Sequence, residues 1–119
     1  MITITFVKDE NRKITGLFME GHAGYAEEGS DIVCAGASTL LYTAVNALDS
    51  ICGYQDIARI HEDDGDGDVH AEVIVPADGI AARAETAQVI MRTCEVGFIT
   101  LASSVNIDGN RYVEIIEKI

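Results

Sequence analysis

Alternating apolar and polar residues at the start of the chain predict two β-strands. Residues 2–8, ITITFVK, and residues 13–20, KITGLFME, have the period of two and the β-branched side chains that are typical of strands. The polar residues 9–12 between them favour a turn, so we expect the two strands to form a hairpin. A polar loop that contains three glycines follows at residues 21–30.

Apolar residues then recur at spacings of three and four, which predicts a helix that begins near Ser30 or Asp31. Either side chain can accept hydrogen bonds from the first turn, and Gly53 should end the helix. The predicted core stripe is Cys34, Ala37, Leu41, Val45, Leu48 and Cys52. The other side carries small residues on which a second helix, from this chain or from another copy, could pack closely: Gly36, Thr39, Thr43 and Ser50.

A second hairpin is predicted beyond this helix. Residues 55–61, QDIARIH, and residues 69–75, VHAEVIV, have the pattern of strands, and Pro76 stops the second of them. The segment that joins them is EDDGDGD, residues 62–68, which we call the acidic connection.

The acidic connection suggests two kinds of metal site, and neither is complete. A calcium loop of the EF-hand type needs a glutamate at its twelfth position, whereas Glu72 falls one residue early and the flanking segments are strands. His61 and His70 flank the connection, but a two-histidine site lacks a clear third ligand. We therefore expect a solvated turn with the two histidines as cross-strand neighbours, and no bound metal.

The second predicted helix has the most regular spacing in the chain. Asp78 should cap it, and it should run to about Ser103. Residues 110–117 predict a last strand after a turn at Asp108 and Gly109. The apolar stripe of this helix consists of Ile80, Ala84, Ala87, Met91, Cys94, Phe98 and Leu101.

The predicted order of elements, ββαββαβ, belongs to the α+β class. A mostly antiparallel sheet with two helices packed on one face would bury the apolar side of every element. The chain has 119 residues, of which 48% are hydrophobic, so residues 1–119 should form a single domain around one core.

Composition restricts the partners and the compartment. The formal net charge of −12 argues against direct binding to nucleic acid and is compatible with a basic partner. We find no export signal, and the apolar runs are too interrupted to predict a membrane span, so we expect a cytoplasmic protein. The odd count of three cysteines fits thiols in a reducing compartment. The chain has no C-x-x-C pair and no cofactor-binding motif, so we expect neither zinc nor a cofactor.

Candidate chemistry is concentrated at the glycine-rich loop and the start of the first helix. Unpaired N–H groups in a first helical turn favour a thiolate and could hold an oxyanion, and Cys34 lies in that turn. His22 precedes it on the loop, and its imidazole is suited to proton transfer near neutral pH. The spacing alone leaves two interpretations open: Cys34 and His22 are a catalytic pair, or Cys34 is a buried structural thiol and His22 only closes a strand.

The segment GHAGYAEEGSDIVCAGAS resembles the signature of the ribosomal-processing cysteine protease (Prp) family, formerly a domain of unknown function. The residues that match are Gly21, His22, Ala23, Gly29, Asp31, Ile32, Val33, Cys34, Ala35 and Ser38. Two residues depart from the family pattern, Gly36 in place of alanine and Ala37 in place of valine. Both changes exchange one small residue for another.

The resemblance implies a cysteine endopeptidase that removes a short N-terminal extension from a large-subunit ribosomal protein. Cleavage would follow an aromatic residue and precede a small one, and the protein would be a homodimer. The nucleophile would be Cys34, and His22 would be the general base. Asp31 could orient His22 as a third partner or only cap the helix. The alternative function is that of a non-enzymatic, acidic ribosome- or protein-binding module, which would have no unusually reactive thiol.

Overall fold

The computed structural model describes residues 1–22, 30–62 and 68–119, without the side chains of His22, Ser30, Asp31, Glu62 and Asp68. Its elements follow the predicted order ββαββαβ. They are β1 (Ile2–Lys8), β2 (Ile14–His22), α1 (Ser30–Cys52), β3 (Ala58–Glu62), β4 (Asp68–Ile74), α2 (Ala81–Val105) and β5 (Val113–Lys118).

The five strands form one mixed sheet in the order β3-β4-β2-β1-β5. Three of the neighbouring pairs are antiparallel, while β5 runs parallel to β1. A parallel neighbour needs a crossover connection, and α2 supplies it between β4 and β5. The prediction of a mostly antiparallel sheet is therefore confirmed.

One face of the sheet is the core, because the strands alternate as predicted. On β1 the side chains of Ile2, Ile4 and Phe6 are buried, whereas Thr3 and Thr5 on the opposite face are partly exposed. The helices cover the buried face and contribute the other half of the core. The ring of Phe6 meets Phe98 of α2 edge to face, with 6.0 Å between centroids.

The buried stripe of α1 is rotated relative to the predicted one. Val33 and Ala44 are buried, while Cys34 and Val45 are only partly buried at the edge of the core. The helix has two neighbours, the sheet and α2, so its buried residues are those that face the space between these neighbours. The residues with the most regular apolar spacing are not the same set. The stripe consists of Val33, Ala37, Leu41, Ala44, Leu48 and Cys52.

The two helices pack antiparallel through small residues. A Cβ at Gly36 would lie 3.1 Å from Cδ1 of Leu101, and a Cβ at Gly97 would lie 2.6 Å from Cδ2 of Leu40. The predicted close helix contact is therefore present at Gly36. The other residues of the small side are exposed, and their hydroxyls donate to carbonyl oxygens one turn back in α1: Thr39, Thr43 and Ser50.

The prediction that Asp78 caps α2 is wrong. The N-cap residue is Ile80, which makes no side-chain cap bond and is exposed, although the pattern placed it in the core stripe. The N–H group of Ile80 donates to Oδ1 of Asp78 over 2.9 Å, so the carboxylate organises the turn before the helix.

Two side chains fasten α2 to opposite ends of the sheet. Gln88 accepts a 2.8 Å hydrogen bond from the N–H of Ile14 and donates a 2.9 Å bond to its carbonyl oxygen. Asn106, at the other end of α2, accepts from the N–H groups of Tyr112 and Val113 and donates to the carbonyl oxygen of Val113. These bonds fix the direction of α2 across the sheet.

By length and composition alone, α1 could cross a membrane over Ile32–Cys52, where the hydropathy is 1.3. The expectation that the apolar runs are too interrupted for a membrane span stays a prediction. In this fold, one side of the helix is instead packed into the core, with Leu41 and Leu48 fully buried.

Candidate active site

Five chain segments meet at one end of the sheet. Ile2, at the start of β1, pairs with Gly21 near the end of β2 and with Val113 at the start of β5. Asn106 holds the C-terminal end of α2 to the same place through Val113. Because α1 runs antiparallel to α2, its first turns also lie at this end, with Gly36 beside Leu101.

Cys34 lies near the start of α1, directly after the first turn, in which the sequence predicts it. The helix begins at Ser30, so Cys34 lies just beyond the backbone N–H groups that have no acceptor within the helix. The side chain is partly buried and packs against the edge of the core. Ser38 follows one turn later and is also partly buried. Such a position combines access for a substrate with the positive end of a helix.

His22 is the last residue of β2, and its backbone pairs with Asp68 of β4. The strand therefore carries His22 to the end of the sheet at which α1 begins. The imidazole and the side chain of Asp31 lie outside the described residues, as do residues 23–29. The predicted pairing of the imidazole with the sulfur, and the role of Asp31, accordingly stay predictions.

The acidic connection leaves the sheet directly beside His22. Asp68 pairs with His22, so the β4 end of the connection adjoins this end of β2. Glu62, at the other end, pairs with Val69 and lies one strand further away, on β3. Residues 63–67 themselves, with the calcium-loop alternative, lie outside the described residues. The sequence predicts an acidic turn, but only the strand register shows that one end of it, Asp68, lies next to His22.

The other two thiols are core residues, as predicted. Cys52 is 5% exposed, and its thiol contacts the carbonyl oxygen of Arg83. Cys94 is buried between the helices, where its thiol lies 3.8 Å from the carbonyl oxygen of Leu40. Burial and, to a lesser extent, Glu95 raise the pKa of Cys94 to about 12. Neither thiol is suited to act as a nucleophile.

His61 and His70 are direct cross-strand partners on β3 and β4, which confirms the prediction that they face each other. Nδ1 of His70 lies 3.9 Å from a carboxylate oxygen of Glu20 on the neighbouring strand. Among the side chains that the structure describes, no group of three or more potential ligands could hold a metal ion.

The sequence interpretation gave no role to Gly21, although the backbone there is unusual. Its φ is +149°, in a region of backbone conformation that residues other than glycine rarely adopt. The signal in the sequence was a glycine at the end of an otherwise regular apolar alternation, directly before the candidate histidine.

Comparison with known proteins identifies relatives of this chain. A sequence profile described as cysteine protease Prp matches residues 1–108. The ribosomal processing cysteine protease Prp of Staphylococcus aureus is 33% identical over 106 residues, which cover 89% of this chain and 92% of that protein. The Prp of Bacillus subtilis is 38% identical over 65 residues, which cover 55% of this chain and 58% of the relative.

Solved structures share the whole fold. The crystal structure of the S. aureus protease with a substrate peptide matches with a TM-score of 0.71 and 30% identity, covering 99% of this chain and 100% of the other. The same protease with a covalently linked product peptide matches with a TM-score of 0.69 and 31% identity, over 99% and 100% of the two chains.

The fold and the sequence matches define a cysteine peptidase of the α+β class. The chain belongs to the cysteine protease Prp family. Membership of this family decides against the alternative of a non-enzymatic binding module.

Proposed function

We propose that this chain is an endopeptidase in which Cys34 and His22 form a catalytic dyad. His22 takes the proton from the thiol, and Sγ of Cys34 attacks the scissile carbonyl carbon. Helix-start N–H groups hold the oxyanion of the tetrahedral intermediate. His22 then protonates the amine nitrogen as the C–N bond breaks, which leaves an acyl thioester. Water, deprotonated by His22, hydrolyses the thioester and releases the acid and the thiol.

The observation that carries this proposal is the position of Cys34 at the start of α1, at the end of the sheet where β2 ends in His22. A thiolate at a helix N-terminus is stabilised by the backbone dipoles, and a strand end adjoining it can supply the base. The buried thiols of Cys52 and Cys94 make neither of those residues an alternative nucleophile.

We further propose that the substrate is the N-terminal extension of a large-subunit ribosomal protein. The S. aureus relative is a ribosomal processing protease, and it has been solved with a substrate peptide and with a covalently linked product peptide. Ribosomal proteins are basic, so a chain with a net charge of −12 would attract them over long distances. This function places the protein in the cytoplasm and needs no contact between it and nucleic acid.

The surface of the helices supports a homodimer. From Ile32 to Leu48 in α1, and from Val96 to Val105 in α2, the chain has no charged residue. Ile32, Tyr42, Val96 and Ile99 are nevertheless exposed in these two segments. We call this surface the uncharged helical face. Two copies with a net charge of −12 would repel each other over most of their surfaces, and this face is where they could approach.

Cleavage of a candidate precursor tests the proposal. A ribosomal protein that carries its N-terminal extension is incubated with the enzyme, and the new N-terminus is read by mass spectrometry. Wild type should release the extension, and Cys34→Ala and Cys34→Ser should release none. His22→Ala should lower kcat/KM by about 100-fold or more, the usual contribution of a general base.

Matched variants separate chemistry from folding. Cys52→Ala removes a buried thiol, and His61→Ala removes an exposed strand histidine on β3; both should keep the activity of wild type. Full cleavage by Cys34→Ala would refute the mechanism. Full cleavage by His22→Ala would show that another group is the base.

A further inference from the structure

The strand that ends in His22 is regular up to its last residues. On β2, Leu17 and Met19 are buried under the helices, and Phe18 and Glu20 lie on the opposite face with greater exposure. If the same alternation continued, residue 22 would follow Phe18 and Glu20 onto the face turned away from the helices. Cys34, however, belongs to α1, which covers the buried face. A regular strand would thus separate the base from the nucleophile.

The backbone conformation departs from that of a regular strand at Gly21. Its φ of +149° lies in a region that is open essentially to glycine alone. Gly21 still pairs with Ile2 on one side and with Val69 on the other, so the departure occurs within the sheet and not in a free loop. Gly21 directly precedes His22 in the chain.

Only a residue without a side chain fits at this point. A Cβ on Gly21 would overlap the carbonyl oxygen of Met1 and would lie 2.8 Å from Cα of Ile2. These are backbone atoms, and Ile2 is held by its own hydrogen bond to the carbonyl oxygen of Tyr112 at 2.8 Å. Neither strand can therefore yield by rotating a side chain.

We propose that Gly21 is a positioning residue for the dyad: its glycine-only backbone conformation sets the direction in which the chain enters His22, and the base depends on that direction to serve Cys34. The inference rests on the proposed role of His22. It gives Gly21 a task separate from strand pairing, which the neighbouring residues already provide.

Gly21→Ala is the test variant, with two matched controls. Gly16→Ala adds the same methyl group to the same strand, where the nearest atom of a Cβ is a side-chain carbon of Phe18 at 3.2 Å. Gly109→Ala adds it at another positive φ, +81°, where no atom lies within 4 Å of the new Cβ. Gly21→Ala should melt at a lower temperature than either control, because its Cβ meets backbone atoms, and circular dichroism should show that it keeps the native fold at the temperature of the assay.

The decisive measurement is the pH dependence of Cys34 alkylation by iodoacetamide, combined with peptide cleavage. Gly21→Ala should move the alkylation profile to higher pH, as is expected of His22→Ala, because the sulfur would lose its proposed imidazole partner. A displaced catalytic group costs about 100-fold, so kcat/KM should fall by that order, mainly through kcat. Both controls should keep the wild-type profile.

A double-mutant cycle shows whether Gly21 acts through His22. In the His22→Ala background, Gly21→Ala should produce no further shift of the alkylation profile, since the group it positions is already gone. An equal shift in both backgrounds, an unchanged profile in the single variant, or a Gly21→Ala protein that does not fold would each overturn the proposal. If His22→Ala itself leaves the profile and the cleavage rate unchanged, then the dyad is wrong, which is a different result.

Discussion

The hydroxyl of Tyr54 donates a 2.6 Å hydrogen bond to Oδ2 of Asp78, which joins the end of α1 to the turn before α2. Arg83 donates to both oxygens of the same carboxylate. The bonds from Arg83, then Tyr54, hold the pKa of Asp78 far below its usual range. The bond to Asp78 in turn raises the pKa of Tyr54. The ionised form of Asp78 is therefore a structural link between the two helices.

This link predicts a specific acid sensitivity. A carboxylate whose pKa is lowered in the folded state stabilises the fold fully above its unfolded pKa, which is about 3.9, and the stabilisation is lost as the pH falls below that value. Asp78→Asn should therefore lower the urea midpoint at pH 7 and lower it less in acid. Asp49→Asn, an exposed carboxylate on α1, is the control. An equal loss for Asp78→Asn in neutral and acid solution would contradict the assignment.

Gln88 provides a second prediction about stability. Its side chain satisfies both the N–H and the carbonyl oxygen of Ile14, at 2.8 and 2.9 Å. Gln88→Ala would leave these partly buried groups without partners, which costs about 1–3 kcal/mol in the free energy of unfolding. Urea unfolding measures this loss, with the exposed Gln55→Ala as control. A loss no larger than that of Gln55→Ala would show that water replaces the side chain.

The periodicity of the sequence predicted the elements and their order because each element needs only one apolar face. It misplaced the start of α2, since an aspartate before a helix has the same pattern whether it caps the helix or, like Asp78, binds the turn before it. It could not reveal Gln88, because a glutamine on a helix looks like any surface residue until the strand beneath it is known. Side-chain bonds to distant backbone depend on how the elements pack, and local spacing does not contain that information.

The candidate site likewise has features that the sequence predicts and features that only the structure reveals. The motif pointed to Cys34 and His22, and the chemistry of a helix N-terminus explained why a cysteine would be useful there. That Gly21 cannot carry a side chain follows from the backbone of β1 against it, and that Asp68 adjoins His22 follows from the strand register. Both facts depend on strands that are far apart in the sequence, so no local pattern predicts them.

Thiol labelling should distinguish Cys34 from the other cysteines. Cys94 is buried with a pKa raised to about 12, and Cys52 is 5% exposed, so both should resist iodoacetamide in the native protein. Cys34 should react at a pH below that at which an ordinary thiol, with a pKa of about 8.5, becomes reactive. Peptide mapping after native labelling should find one adduct, at Cys34, and after denaturation three. Labelling of Cys34 no faster than glutathione would count against an activated thiol.

The acidic connection should contribute to substrate binding through its charge. Neutralising Asp63, Asp64 and Asp66 to asparagine should raise KM for a basic peptide and leave kcat nearly unchanged, because long-range attraction concentrates the substrate without touching the reacting atoms. The difference from wild type should shrink as salt is added, since the Debye length falls to about 8 Å at physiological ionic strength.

A charge-matched variant tests whether position matters as well as net charge. It neutralises three exposed carboxylates that lie away from the end of the sheet that carries His22. They are in the turn between β1 and β2, on α1 and on α2: Glu10, Asp49 and Glu85. This variant has the same net charge as the first and should raise KM less. Equal values of KM for the two variants would assign the effect to overall charge and not to the acidic connection.

The uncharged helical face predicts how the proposed dimer can be dissociated. Val96 is 61% exposed in the middle of this face, and a glutamate there would place two carboxylates, one from each copy, in an apolar contact. Val96→Glu should therefore be a monomer at micromolar concentration in light scattering, while wild type is a dimer. Ile116→Glu adds the same charge on the open face of the sheet, where Ile116 is 39% exposed, and should remain a dimer. A monomeric wild type would refute the proposed dimer. Dissociation caused by Ile116→Glu but not by Val96→Glu would show that the interface lies on the open face of the sheet.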